Sequence, residues 1–195
     1  MLQYFIIYKP YLTLSQFTSE DGKQTLADVF DVPKDVYPVG RLDYDSEGLL
    51  ILTNDKQLNH RLLHPKHAHQ RTYWAQVDGA ITPEALLQLQ QGVFIQADGK
   101  PYNTRPCIAT AFTQAPEVPE RIPPIRVRKH IPAPWISLTL TEGKNRQVRK
   151  MTAAVGYPTL RLIRYSIEGL TLANMQPGNI ISLPQKTLYK KLFHE

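Results

Sequence analysis

Val39 to Asp55 reads VGRLDYDSEGLLILTND. A charged turn leads directly into LLILT, Leu49 to Thr53, an apolar run of strand length that stops at Asn54-Asp55. The stretch is therefore a turn feeding a buried strand. Gly40 permits a tight backbone, Leu42 can anchor the turn in the core, and its neighbours Arg41 and Asp43 can then face outward. A carboxylate held that way is available as nucleophile, base or electrostatic partner. The plainer alternative is that Asp43 or Asp45 hydrogen-bonds the turn amides and Arg41 serves a surface ion pair.

Working outward from this block, Tyr4 to Tyr8 (YFIIY) forms an aromatic and β-branched strand stopped by Lys9-Pro10. Thr25, with Asp28 three residues on, caps a short helix, and Val36 to Val39 is a brief strand. KQLNHRLL, after Asp55, is helical. Arg71 to Val77 (RTYWAQV) alternates as a strand, and Thr82-Pro83-Glu84 opens a helix that runs to Gly92. The Pro-rich connection Gly99 to Pro134 holds strands around Cys107 to Phe112 and Ile125 to Lys129. It is long for a compact domain, a feature associated with function. Trp135 to Thr141 is a strand, Glu142-Gly143 a turn and Asn145 to Val155 a helix, followed by short strands at Leu160 to Ile163, Leu170 to Leu172 and Asn179 to Leu183. Many short strands with a few separated helices define an α+β chain.

The length of 195 residues suits one domain, or one domain made of two lobes, and 42% hydrophobic with 21% charged residues is an ordinary globular balance. A net charge of +6 favours a polyanionic partner. The charge is also segregated. From Arg121 to Lys150 the cations Arg121, Arg126, Arg128, Lys129, Lys144, Arg146, Arg149 and Lys150 face one acid, Glu142. A single cysteine, Cys107, excludes an internal disulfide and a thiolate-rich zinc site, and fits a reducing compartment. The opening residues lack the basic start and small-residue cleavage site of a signal peptide, and no run of 18 apolar residues occurs.

Three further groupings carry chemistry. In EGKNRQVRKM, Glu142 to Met151, helical spacing lets Arg146, Arg149 and Lys150 share one face while Val148 and Met151 approach the core. That face can hold a phosphate or an internal acid, or can simply be solvated. HRLLHPKHAHQRTYW gathers His60, His64, His67 and His69, but Pro65 breaks the register and the spacing matches no zinc signature, so phosphate-facing or surface histidines are the better reading. Tyr73, just beyond, is either core packing or a platform for a base. In IPPIRVRKHIPAPW, Arg126 and Arg128 alternate between prolines and can put two cations on one side of an extended segment, positioned for phosphates.

In this order the blocks YKPYLTLSQF, GRLDYDSEGLLILTND, RTYWAQV, PPIRVRKHIPAPWISLTLTEGKNRQVRKM and VGYPTLRLIRYSIEGLTL resemble, nearly end to end, the pseudouridine synthases of the ribosomal small-subunit synthase A type. The resemblance implies a mixed, mainly antiparallel central sheet in two lobes with flanking helices and a catalytic cleft. It implies Asp43 as catalytic aspartate, Tyr73 as the ring stacked on the target base and Arg149 as the partner of the aspartate. Arg41 would help fill the place of the flipped nucleotide, and Leu162 would line the uracil pocket. Lys9, Arg71, Arg126, Arg128, Lys129, Arg146 and Lys150 are the expected phosphate contacts.

The expected substrate is a uridine of 23S ribosomal RNA, free or in a large-subunit assembly intermediate. The alternatives are small-subunit RNA and a non-catalytic RNA-binding assembly protein. The reaction would need no cofactor and no metal, and the chain would be a cytoplasmic monomer without a membrane partner. Residues 1–195 would form one catalytic domain with no preceding domain of the ribosomal-protein S4 type. Departures from the family pattern are Tyr11-Leu12 where glycine is common, Tyr44 where Arg is common, and Ser46-Glu47-Gly48 in place of Thr-Ser-Gly.

Overall fold

The structure, a computed structural model, describes residues 1–126 and 128–195. The chain forms two compact units, one of Met1–His69 with Arg164–Glu195 and one of Gln70–Ile163.

The first unit begins with β1 (Tyr4–Lys9), β2 (Thr13–Leu14), β3 (Gln24–Thr25), β4 (Tyr37–Pro38), β5 (Glu47–Thr53) and α1 (Lys56–Leu63). β1 runs antiparallel to β5 from Tyr4↔Thr53 to Lys9↔Gly48, and β4 adds to β5 at Tyr37↔Thr53. β2 and β3 are parallel. Every residue of β5 is buried, so its unalternating apolar run reflects cover on both faces. Ile7, Leu26, Phe30, Val36, Leu50 and Leu52 form one core cluster. The helix expected after Thr25 is a single 3₁₀ turn, Leu26–Asp28, whose Asp28 carboxylate accepts from Thr25 N at 2.7 Å and Thr25 Oγ1 at 2.8 Å.

The second unit contains β6 (Arg71–Val77), α2 (Pro83–Gln91), β7 (Phe94–Ala97), β8 (Lys100–Asn103), β9 (Ile108–Ala111), β10 (Trp135–Leu140) and α3 (Gln147–Ala154). β10 lies between β6 and β9, antiparallel to both. Thr82 Oγ1 accepts from Ala85 N, with Pro83 at the first helical position, so α2 starts where its cap predicts. The β7–β8 hairpin turns through Asp98 (φ +52°) and Gly99 (φ +76°). That Asp-Gly pair is a strong hairpin signal which the strand reading above passes over. The strand expected over Ile125–Lys129 does not form among the described residues of that stretch, and Val127 lies outside them.

β11 (Thr159–Ile167) is longer than expected and passes from the second unit into the first, where its end pairs with β12 (Leu170–Thr171). β13 (Ile180–Ser182) flanks β1, and α4 (Gln185–Phe193) ends the chain. Sequence reading leaves α4 unassigned, although Leu188 and Leu192, one helical turn apart, are its buried residues. Asp55 ties these pieces together. Its Oδ1 caps α1 through Gln57 N and Leu58 N, and its Oδ2 accepts from the hydroxyls of Tyr4 and Tyr189, each at 2.8 Å. The pairs β1–β5, β1–β13, β4–β5, β11–β12, β6–β10, β9–β10 and β7–β8 are antiparallel and β2–β3 is parallel, and the helices are separate from one another in sequence, giving the expected α+β class. Among the described residues no helix is long and apolar enough to cross a membrane.

Candidate active site

In the first unit, Asp43 is half-buried on the loop between β4 and β5. Two contacts fix its backbone. Ser15 is buried and its hydroxyl takes both roles at Leu42, accepting from Leu42 N at 3.0 Å and donating to Leu42 O at 2.8 Å. On the other side Ser46 N donates to Asp43 O at 3.0 Å, closing the turn Asp43–Ser46. Leu42 is buried as expected, Arg41 is exposed, and Gly40 adopts φ +73°, where a Cβ would sit 3.0 Å from Leu63 Cδ2. Sequence reading has no signal for Ser15, since a lone serine in an extended segment looks like any other. Replacing Ser15 with Ala leaves two buried backbone groups without this partner, at about 1–3 kcal/mol. The expected result is a lower melting temperature together with a reduced kcat. A reduced melting temperature with unchanged kcat would show that Ser15 supports the fold without setting Asp43.

Lys9 corrects an expectation. It is fully buried, and its ammonium donates to Thr13 O at 2.6 Å and Pro10 O at 3.0 Å, so it is not placed to touch a phosphate. The register Lys9↔Gly48 brings it beside buried Glu47, opposite charges at the matched ends of two buried strands. Burial pulls the Lys9 pKa from its ordinary 10.5 down to about 7, and Arg164 adds to this, while the carboxylates of Glu47, Asp43 and Asp45 oppose it. The unfolded chain therefore holds more protons between about pH 7 and 10.5, and this group makes stability rise with pH across that window, by at most about 1.4 kcal/mol per unit. Denaturant titrations at pH 7 and pH 9 are expected to show a rise in the wild type that Lys9→Met lacks. An identical pH response in both proteins would contradict the burial argument.

In the second unit, Tyr73 lies in the middle of β6 opposite Leu138 and packs, partly buried, on a core cluster that includes Val148, Met151 and Leu162. The structure thus brings Tyr73 and Leu162 to one cluster and seats α3 on it. Arg149 stands on α3 between the buried Val148 and Met151 in sequence, and its Nη1 donates to Thr159 O at 3.3 Å. The helix starts two residues later than expected because Arg146 is left-handed (φ +53°). The loop before it is cinched by Gln147, whose Oε1 accepts from Lys144 N and whose Nε2 donates to Glu142 Oε1 at 2.7 Å. Glu142 also accepts from the Tyr102 hydroxyl and from Arg105 N. The one acid of the basic stretch is therefore a structural hub, a role its spacing alone does not reveal.

Of the other expected phosphate contacts, Arg126, Lys129 and Arg146 are exposed, while Arg71 and Lys150 are partly buried. Arg128 is half-exposed and ion-paired with Asp78 at 3.2 Å, so a phosphate would have to compete with that carboxylate. The segment after it is docked: Gly79 N donates to Pro132 O and Val77 N to Pro134 O. Arg161, which sequence reading does not single out, is buried, donates to Pro119 O at 2.8 Å and lies over Trp135. Burial raises the Cys107 thiol to about 11, and its Sγ donates to Leu89 O, which makes it a poor nucleophile.

In the first unit the four histidines touch ring to ring, with centroids 5.3 Å apart for His60–His64, 5.7 Å for His64–His67 and 5.8 Å for His67–His69. Among the described residues no group of three or more His, Cys, Asp or Glu is arranged to hold a metal ion.

Residues 3–154 match the profile of the RNA pseudouridylate synthases. The chain is 52% identical over 173 residues to ribosomal large subunit pseudouridine synthase E of Vibrio parahaemolyticus, covering 89% of this chain and 70% of that protein. It is 51% identical over 174 residues to the protein of the same name from Xanthomonas axonopodis pv. citri, covering 88% and 89%. Among solved structures it is similar to one described as a pseudouridylate synthase, at a TM-score of 0.77 and 28% identity, over 98% of this chain and 74% of that one.

Proposed function

Since the chain belongs to the RNA pseudouridylate synthase family, we infer that it is an isomerase converting a uridine of 23S ribosomal RNA to pseudouridine, with Asp43 as the group that carries the chemistry. The reaction breaks the bond from N1 of uracil to C1' of the ribose, turns the base, joins C5 to C1', releases the C5 proton and returns one proton to N1. No atom is gained or lost, so the balance calls for no oxidant and no nucleotide energy. A base inside folded RNA is shielded on both faces, so the target nucleotide must leave its stack to react.

One observation supports Asp43 above its neighbours: the loop that bears it is held on both sides, by Ser15 at Leu42 and by Ser46 at Asp43 itself. A reacting carboxylate needs that fixed backbone. Tyr73 is the ring for the uracil to stack on, since it is only partly buried and its far side rests on the cluster holding Leu162. Arg149 supplies positive charge for the reaction, and Arg41, Arg71, Arg126, Arg128, Lys129, Arg146 and Lys150 hold the RNA backbone. The work is done in the cytoplasm, where ribosomal RNA is modified.

The test is to incubate the protein with unmodified large-subunit and small-subunit RNA transcripts and map pseudouridine by carbodiimide-dependent stops of reverse transcription. One new stop in the large-subunit transcript is the expected result. Stops confined to the small-subunit transcript would overturn the substrate assignment.

A further inference from the structure

A second concentration of positive charge lies apart in sequence from every expected phosphate contact named above. In the first unit, Gly169, Lys186, Thr187, Lys190, Lys191 and His194 line an open hollow of about 570 Å³. We propose that this hollow is an additional docking site for the sugar-phosphate backbone of the ribosomal RNA substrate, a proposal that rests on the functional reading above.

The helix itself sets the arrangement. Leu188 and Leu192 turn inward with 0% and 1% exposure, which leaves Lys186 and Lys190 on the outside, one helical turn or about 6 Å apart along the axis. Lys191 and His194 are exposed beside them. α4 carries three lysines and no acid. Lys190 and Lys191, in the last turn, complement the negative end of the helix dipole, but Lys186, in the first turn, opposes the positive end. A cation there gains nothing from its own helix, so local stability does not account for the full set.

The nearby carboxylates do not neutralise these cations. Glu195 is gripped by Arg61, which also lies 3.6 Å from the centroid of the Phe193 ring, and Glu168 Oε1 lies 3.0 Å from His69 Nδ1. Among the described residues, Lys186, Lys190, Lys191 and His194 take part in no ion pair. The platform is also anchored. Gly169 N donates to Lys191 O at 2.9 Å, and a Cβ on Gly169 would stand 2.7 Å from that oxygen, so the turn bearing Gly169 is pressed directly against the last turn of α4. An open hollow ringed by cations on flexible stems, with the spacing of a helix, suits a chain of phosphates better than one enclosed anion.

The test measures binding of a large-subunit RNA transcript as a function of KCl for the wild type and for the triple variant Lys186→Gln, Lys190→Gln, Lys191→Gln. Each lost phosphate contact removes about 0.7 from the slope of log affinity against log salt for single-stranded RNA. The triple variant is therefore expected to lose about two units of slope and roughly tenfold or more in affinity at 0.1 M KCl, with kcat at saturating RNA unchanged. A control that removes the same charge elsewhere, Lys34→Gln, Lys56→Gln, Lys100→Gln, should retain the wild-type slope.

An unchanged slope in the α4 variant, or an equal loss in the control, would overturn the proposal. So would displacement of RNA from the wild type by 10 mM inorganic phosphate at constant ionic strength, which would assign the hollow to a small anion. If the wild type binds RNA but forms no pseudouridine, the functional reading fails while the slopes still decide the docking site.

Discussion

Replacing Asp43 with Asn lowers pseudouridine formation by at least about 10³-fold, the middle of the range for removing a general base and below that for removing a nucleophile, and leaves RNA affinity within a factor of two or so. The substitution keeps the size and shape of the side chain and removes only its charge and basicity. It also spares the supports of the loop, because Ser15 bonds the backbone of Leu42 and Ser46 bonds the backbone carbonyl of Asp43. The melting temperature should therefore stay close to that of the wild type. Single-turnover rates and filter-binding affinities on the same large-subunit transcript separate the two effects. If Asp43→Asn retained a tenth of wild-type turnover, another group would have to carry the chemistry, and the neighbouring Asp45 would be the next to test.

Gly48→Ala should be among the most damaging single substitutions for stability, at a cost on the order of 4 kcal/mol. Gly48 adopts φ +118°, and a Cβ there would stand 2.5 Å from Arg164 O and 2.6 Å from Arg164 N. Those are backbone atoms of the adjacent strand and cannot swing aside. Arg164 is also fixed from its other end, its Nε donating to Leu49 O at 2.7 Å. The added methyl must therefore part β5 from β11 or twist the residue out of its conformation, and either change disturbs the turn that ends at Ser46. A melting temperature about 8–16 °C lower is expected by calorimetry for a chain of this size. Gly143→Ala is the control, since nothing lies within 4 Å of its Cβ position and its φ is not positive. Its effect should stay within about 0.5 kcal/mol. Equal melting temperatures for the two variants would mean that the close approach at Gly48 is relieved without cost.

The block from Val39 to Asp55 announces itself, because a charged turn against an unbroken apolar run has few other solutions, and β5 is buried at all seven positions. The cap and proline of α2, and the alternation in RTYWAQV, likewise map directly onto local structure. Contacts between distant residues were not legible. Ser15 and Leu42 are 27 residues apart, and nothing in either segment points to the other. The burial of Lys9 follows from the β1–β5 register, which periodicity cannot supply. For α4 the signal was present in Leu188 and Leu192, but it is short, and its apolar face makes sense only once Asp55 is seen binding both Tyr4 and Tyr189. Of the site itself, residue types and order were readable, while the anchoring that gives Asp43 a fixed backbone was not.

Pseudouridine formation displaces one hydrogen from the base. Joining C5 of uracil to C1' expels the C5 hydrogen to solvent, so large-subunit RNA transcribed with uridine tritiated at C5 reports each event as tritiated water. Wild-type protein in excess over that transcript should release about one tritium per RNA molecule and should release none from a small-subunit transcript labelled the same way. No release from the large-subunit transcript, with the RNA demonstrably bound, would contradict its isomerisation by this protein.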